Sequence, residues 1–94
     1  MIYELQFHPE AIKEWKKLDG NIKNQFKKKL AERLQHPHVP GALVRGGTNI
    51  YKIKLRTAGY RLVYRVDDEK VTVLVISIGR RDQSDTYQNA LARK

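Results

Sequence analysis

The chain contains no cysteine, which excludes disulfide staples, thiolate metal sites and a cysteine nucleophile. No apolar run approaches the ~20 residues that cross a bilayer as a helix. The opening MIYELQFHPE carries acids where a secretory leader needs a basic and then an apolar stretch. A soluble, cytoplasmic protein in a reducing interior is expected. The most informative absence concerns one sign of charge: no Asp or Glu occurs between Glu32 and Asp67. That stretch holds Arg33, Arg45, Lys52, Lys54, Arg56, Arg61 and Arg65. Over the whole chain, 19 Lys and Arg against 10 Asp and Glu give a formal charge of +9. Such an excess in a small domain points to a polyanionic partner, with nucleic acid ahead of a membrane surface.

Ninety-four residues suit one domain, spanning 1–94, and 40% hydrophobic with 31% charged residues is a globular balance. No linker, repeat or low-complexity segment interrupts it. Tyr3, Leu5 and Phe7 alternate with Glu4 and Gln6, which predicts an opening strand. Pro9 and Glu10 suit a first helical turn, and Ala11, Ile12, Trp15 and Leu18 continue it at helical spacing to about Leu18. Asp19-Gly20-Asn21 ends this helix and supplies an N-cap for the next. There Ile22, Phe26, Leu30 and Leu34 form one apolar stripe before Pro37 stops it. His36 to Gly47 reads as a loop. Ile50 to Arg56 and Tyr60 to Val66 alternate as two strands around Ala58-Gly59. Val71 to Ile78 is apolar on both faces, the pattern of a central strand. A weakly amphipathic helix with Tyr87, Ala90 and Leu91 is expected from about Gln83 to Ala92.

A two-residue loop at Ala58-Gly59 would set Thr57 opposite Tyr60, Arg56 opposite Arg61, Lys54 opposite Val63 and Lys52 opposite Arg65. Lys52, Lys54, Arg56, Arg61 and Arg65 would then share one face of the hairpin, with the apolar residues on the other. Like charges set opposite one another destabilise a sheet, so the arrangement implies an anion to meet. The lysines of the second helix read first as a solvated face, although the FKKK run offers Lys27 and Lys28 as unspecific phosphate contacts. His8, His36 and His38 lack the spacing of a helical zinc site, and no metal is expected. No carboxylate pair or nucleophile–His–Asp set can be assembled. Arg80 and Arg81 end the last strand, with Tyr87 beyond them. The residues by themselves describe a basic domain with a cationic sheet face for a phosphodiester backbone. They are equally consistent with a nuclease and with a non-catalytic RNA-binding module.

The segments IKNQFKKKLAERLQHP (Ile22 to Pro37), LVRG (Leu43 to Gly46), YKIKLRTAGYRLVYRV (Tyr51 to Val66) and VISIGRRDQSDTY (Val75 to Tyr87) cover much of the chain. Together they make the sequence resemble the RelE-type toxins of bacterial toxin–antitoxin modules. The resemblance implies an α+β fold: a small, mostly antiparallel sheet of about four strands, two N-terminal helices packed on one face and a short C-terminal helix. It implies a metal-independent, cofactor-free endoribonuclease that cuts mRNA in the ribosomal A site. The ribose 2′-hydroxyl attacks the adjacent phosphate, leaving a 2′,3′-cyclic phosphate and a 5′-hydroxyl. The implied catalytic set is Lys52, Lys54, Arg61, Arg81 and Tyr87, with Arg45 as an RNA contact. Arg56, Arg65, Lys27, Lys28 and Arg80 join it as basic RNA-binding candidates. Lys54 is the preferred general base, since a cationic crowd of Lys52, Arg61 and Arg56 would lower its pKa. Lys52 and Arg61 would stabilise the phosphorane, Arg81 would protonate or neutralise the leaving oxygen, and Tyr87 would stack on or orient the RNA. The implied partners are the ribosome, through 16S rRNA and bound mRNA, and a cognate antitoxin encoded alongside; no membrane is expected. The alternative within the same superfamily is a ParE-type inhibitor of DNA gyrase.

Overall fold

The structure is a computed structural model that describes residues 2–80 and 85–93. Strand β1 (Glu4–Phe7) leads into helix α1 (Pro9–Lys16) and helix α2 (Gly20–Gln35). A short 3₁₀ turn (Pro40–Ala42) precedes strands β2 (Ile50–Leu55), β3 (Tyr60–Asp67) and β4 (Thr72–Arg80) and helix α3 (Asp85–Arg93). The helix starts follow from side-chain caps. His8 Nδ1 accepts from the Glu10 amide at 3.1 Å and Asp19 Oδ1 from the Ile22 amide at 2.9 Å, each satisfying a donor that the first turn leaves open. His8 is thus a helix cap.

The four strands form one sheet in the order β1-β4-β3-β2, with β1 parallel to β4 and the other pairs antiparallel. The apolar β4 is interior to the sheet and buried on both faces, as its sequence predicts. On one face Val73, Val75 and Ile78 meet Ile22, Phe26 and Leu30 of α2 and the inward residues of β2 and β3. Trp15 packs there between Phe7 and Phe26, with ring centroids 5.4 and 6.4 Å away. On the other face Ile50, Val63 and Ile76 form a smaller core with Val44 and with Ala90, Tyr87 and Leu91 of α3. A bulge produces this division: Val63 pairs with Ser77 but Tyr64 pairs with Val75, leaving Ile76 as the extra residue. Ile76 therefore joins the α3 core while Ile78, two residues on, joins the other.

The hairpin register differs from the sequence expectation by two residues. Leu55 pairs with Tyr60, Lys54 with Arg61, Lys52 with Val63 and Ile50 with Arg65, around a loop of Arg56 to Gly59. Two-residue hairpin loops need a positive φ at their first central position, which Ala58 resists. Gly59 instead takes the one positive φ, 74°, and its amide donates to Leu55 O at 2.8 Å, closing a longer loop. A slip of two residues keeps every side chain on its face. Even so, it takes Arg56 out of the strand and places Lys54 directly opposite Arg61. The expected bare cationic face is also partly covered, because α3 lies over Ile50 and Val63.

Helix α3 is held by more than its apolar residues. Opposite β1, strand β4 is paired only from Thr72 to Val75. Beyond that, Glu14 Oε1 accepts from the Ile78 amide at 3.0 Å, and Arg93 Nη1 donates to Ile76 O at 3.0 Å. Glu14 and Arg93 also pair with each other at 2.8 and 3.2 Å. The ion pair thus donates and accepts along the β4 edge as a neighbouring strand would. Arg93→Ala is expected to cost about 1–3 kcal/mol, since it leaves partly buried Glu14 without its counter-charge. The loss should appear as faster hydrogen exchange confined to α3.

A second close contact fixes α3 from the other side. Gly79 lies opposite Arg61, and a Cβ there would collide with Thr86 Oγ1 of α3. Thr86 is buried, so it has little room to give. Gly79→Ala is expected to destabilise by about 1 kcal/mol or more. Adding Thr86→Ala, which removes that oxygen, should restore much of the loss in a thermal melt.

Candidate ribonucleolytic site

Strands β2 and β3 and helix α3 each bring one part of the site. Strand alternation projects Lys52 and Lys54 from β2 to the same side of the sheet as Arg61 from β3, next to α3. The Tyr87 ring lies over two of these cations: its centroid is 5.0 Å from the Arg61 guanidinium carbon and 5.8 Å from Lys52 Nζ. Lys54 is Arg61's direct ladder partner. Arg56, Tyr60 and Leu55 join Lys54 and Arg61 around a concavity of about 270 Å³ at the hairpin tip. Among the described residues no acidic side chain lines it.

The Tyr87 hydroxyl and Arg61 Nε are buried with no hydrogen-bond partner among the described residues. Buried polar groups are normally satisfied, so Arg61 Nε is ready to donate, and the Tyr87 hydroxyl to donate or accept, toward a ligand entering between β3 and α3. Burial pushes the Tyr87 phenol above its ordinary pKa, with Arg61 partly opposing it. The phenol is therefore neutral at pH 7 and suited to hydrogen bonding or stacking, and unsuited to acting as a base.

The other predicted residues divide by location. Arg45 is exposed beside Gly46, whose φ is 89° and whose Cα region abuts Leu91 of α3. Arg80 is exposed at the last position of β4, paired with Tyr60. Arg65 stands at the opposite end of β3 from Arg61, in a concavity shared with Asp67, Asp68 and Glu69, and is not brought to the Lys52–Lys54–Arg61 cluster. Lys27 borders an apolar groove with Leu5, Phe7 and Trp15 on the helical side of the sheet, and Lys28 is exposed on the same helix. Arg81 lies outside the described residues. Among the described residues no group of three His, Asp or Glu side chains is placed to hold a metal ion.

Several structuring residues escaped the sequence reading. His38 Nδ1 meets the Tyr51 hydroxyl at 2.8 Å and Nε2 meets Asp68 at 2.8 Å, while Tyr3 donates to the same carboxylate at 2.6 Å. The Tyr3 and His38 hydrogen bonds hold the Asp68 carboxyl below the usual carboxylate range. This strap ties the α2–β2 loop to the β3–β4 turn. Arg33 Nη1 donates to Lys52 O at 3.2 Å and to the Tyr64 hydroxyl at 2.8 Å. These partners are 13 to 65 residues apart in the chain, and no local pattern signals them.

Fold and site together define a small, basic α+β domain with a cationic cluster beside a tyrosine. Residues 5–85 match the family described as the ParE toxin of type II toxin–antitoxin systems. The chain is 50% identical over 93 residues to the mRNA interferase toxin RelE of Escherichia coli (strain K12), covering 99% of this chain and 98% of that one. An arginine-to-alanine double variant of E. coli RelE in the free state superposes with a TM-score of 0.91, at 49% identity and coverage of 99% of this chain and 98% of that one. The same variant in complex with an antitoxin RelB peptide matches with a TM-score of 0.83 at 50% identity, covering 96% of this chain and 95% of that one. The chain belongs to the RelE/ParE superfamily of type II toxins, on its RelE side.

Proposed function

We propose that this protein is a ribosome-dependent mRNA endoribonuclease toxin, neutralised by a cognate antitoxin. The observation that carries the reading is the convergence of Lys52 and Arg61 beneath Tyr87, with Lys54 directly opposite Arg61, in a chain half identical to an mRNA interferase. Cleavage by 2′-hydroxyl attack requires a proton acceptor, charge at the phosphorane and a partner for the departing 5′-oxygen. Lys54, in its neutral form, takes the 2′-hydroxyl proton as the 2′-oxygen bonds to phosphorus. Lys52 and Arg61 stabilise the added negative charge. Arg81 donates a proton to the 5′-oxygen or neutralises it by charge, and the P–O5′ bond breaks. The products are a 2′,3′-cyclic phosphate and a 5′-hydroxyl. Tyr87, held neutral, orients the RNA.

The message is presented by the ribosome in the cytoplasm, and the described residues contain no helix long and apolar enough to cross a membrane. Relatives crystallise with RelB antitoxins, and the cationic surface here favours an acidic antitoxin segment. The family description names ParE, which supports gyrase inhibition as the second reading. Mapping RNA 5′ ends after induced expression separates the two. New 5′-hydroxyl ends within translated frames support the nuclease. Intact messages with broken or relaxed DNA would overturn it in favour of the second reading.

A further inference from the structure

Along the outer edge of β2 lies a second concavity, which shares Lys52 and Lys54 with the roles above but adds Arg33, to which they give no part. Its volume is about 270 Å³, and it is lined by Arg33, Gly41, Ala42, Lys52, Lys54 and Arg56. Of these described lining residues four are cations and none is acidic. Arg33 is pre-set there by its two hydrogen bonds, one to the outward carbonyl of Lys52 and one to the Tyr64 hydroxyl. The Tyr64 hydroxyl donates in turn to Pro37 O at 2.8 Å. Arg33 also lies over the Tyr64 ring, 5.7 Å from its centroid. Both hydrogen bonds leave from Nη1, and among the described residues neither Nη2 nor Nε makes one. Opposite, Gly41 leaves the wall open, for a Cβ there would meet nothing within 4 Å.

We propose that this cleft is a second phosphate-binding subsite, in which Arg33 and Arg56 hold a phosphodiester group of RNA other than the one being cut. The subsite rests on the nuclease reading above and extends it. A guanidinium fixed through one nitrogen presents its remaining donors in the planar geometry that matches phosphate oxygens, with little entropy left to lose. The cleft shares Lys54 and Arg56 with the concavity at the hairpin tip. A backbone passing between the two therefore stays in contact with cations throughout.

The test measures affinity for ribosomes carrying a message made uncleavable by 2′-O-methylation at the cut site, across a salt series. Arg33→Gln should weaken binding about tenfold, the loss of one charge-assisted contact. It should also flatten the logarithmic salt dependence by about 0.7–0.9, the value of one phosphate. Arg33→Lys, which keeps the charge, should restore the slope. Neutralising flanking message phosphates one at a time as methylphosphonates locates the source. If the phosphate belongs to the message, one such change reproduces the loss in the wild type and adds nothing to Arg33→Gln. If all are additive, the phosphate belongs to ribosomal RNA. The subsite is overturned if Arg33→Gln keeps the wild-type slope. It is equally overturned if Arg33→Lys, with a native melt, is as impaired as Arg33→Gln, because Arg33 then acts only by placing the Lys52 backbone. Cleavage of unmodified message is followed in parallel: uncut message with an altered slope would refute the nuclease and leave the subsite standing.

Discussion

Alanine at Lys52 or Lys54 should reduce message cleavage by two orders of magnitude or more while leaving the fold in place. The size follows from the roles: positioned proton transfer contributes about 10²–10⁴-fold, and loss of a preorganised charge at the phosphorane is of similar magnitude. The stability side follows from the ladder. Lys54 is directly opposite Arg61, and like charges in that relation are unfavourable, so Lys54→Ala should melt at or slightly above the wild-type temperature. Lys52→Ala loses its contact with the Tyr87 ring, worth about 0.5–1 kcal/mol at a partly exposed site. In a domain of this size that lowers the melting temperature by no more than a few degrees. Single-turnover cleavage on programmed ribosomes and thermal melts of the same preparations check both. Large destabilisation of both variants would mean that the lysines hold the sheet together, and the functional assignment would fail.

Arg81→Ala should abolish growth inhibition with ribosome affinity largely kept. The residue follows the last position of β4 and precedes α3 in the chain. A group that engages only the departing 5′-oxygen stabilises the transition state and not the bound message, so its removal reduces the rate at saturation. Arg81→Lys refines the role. A lysine keeps the charge and is the stronger acid, so substantial activity is expected from it. An affinity loss proportional to the activity loss in Arg81→Ala would make Arg81 a binding residue instead.

Local and periodic information accounts for much of the fold. Alternation in β2 and β3 assigned each residue to its face, and that assignment survived a register that differed by two, since the side-chain period in a strand is two. The register depended on loop geometry: only Gly59 accepts the positive φ, so the loop lengthened and Arg56 left the strand. Lys52, Lys54, Arg61 and Tyr87 could be named as a candidate site because they sit in segments that resemble a known family. The residues that hold it in shape carried no such signal.

The amino-acid sequence by itself determined the segregation of charge from apolar surface, the capped starts of α1 and α2 and the burial of β4 on both faces. Each is set by neighbours a few residues away. Only the tertiary structure decided that α3 covers part of the cationic face, that Glu14 and Arg93 complete the open edge of β4, and that Arg33 pins β2 from outside. Glu14 and Arg93 stand 79 positions apart and Arg33 and Lys52 stand 19 apart. Contacts over such distances depend on where whole elements pack, and a pattern of period 2 or 3.6 carries no record of that.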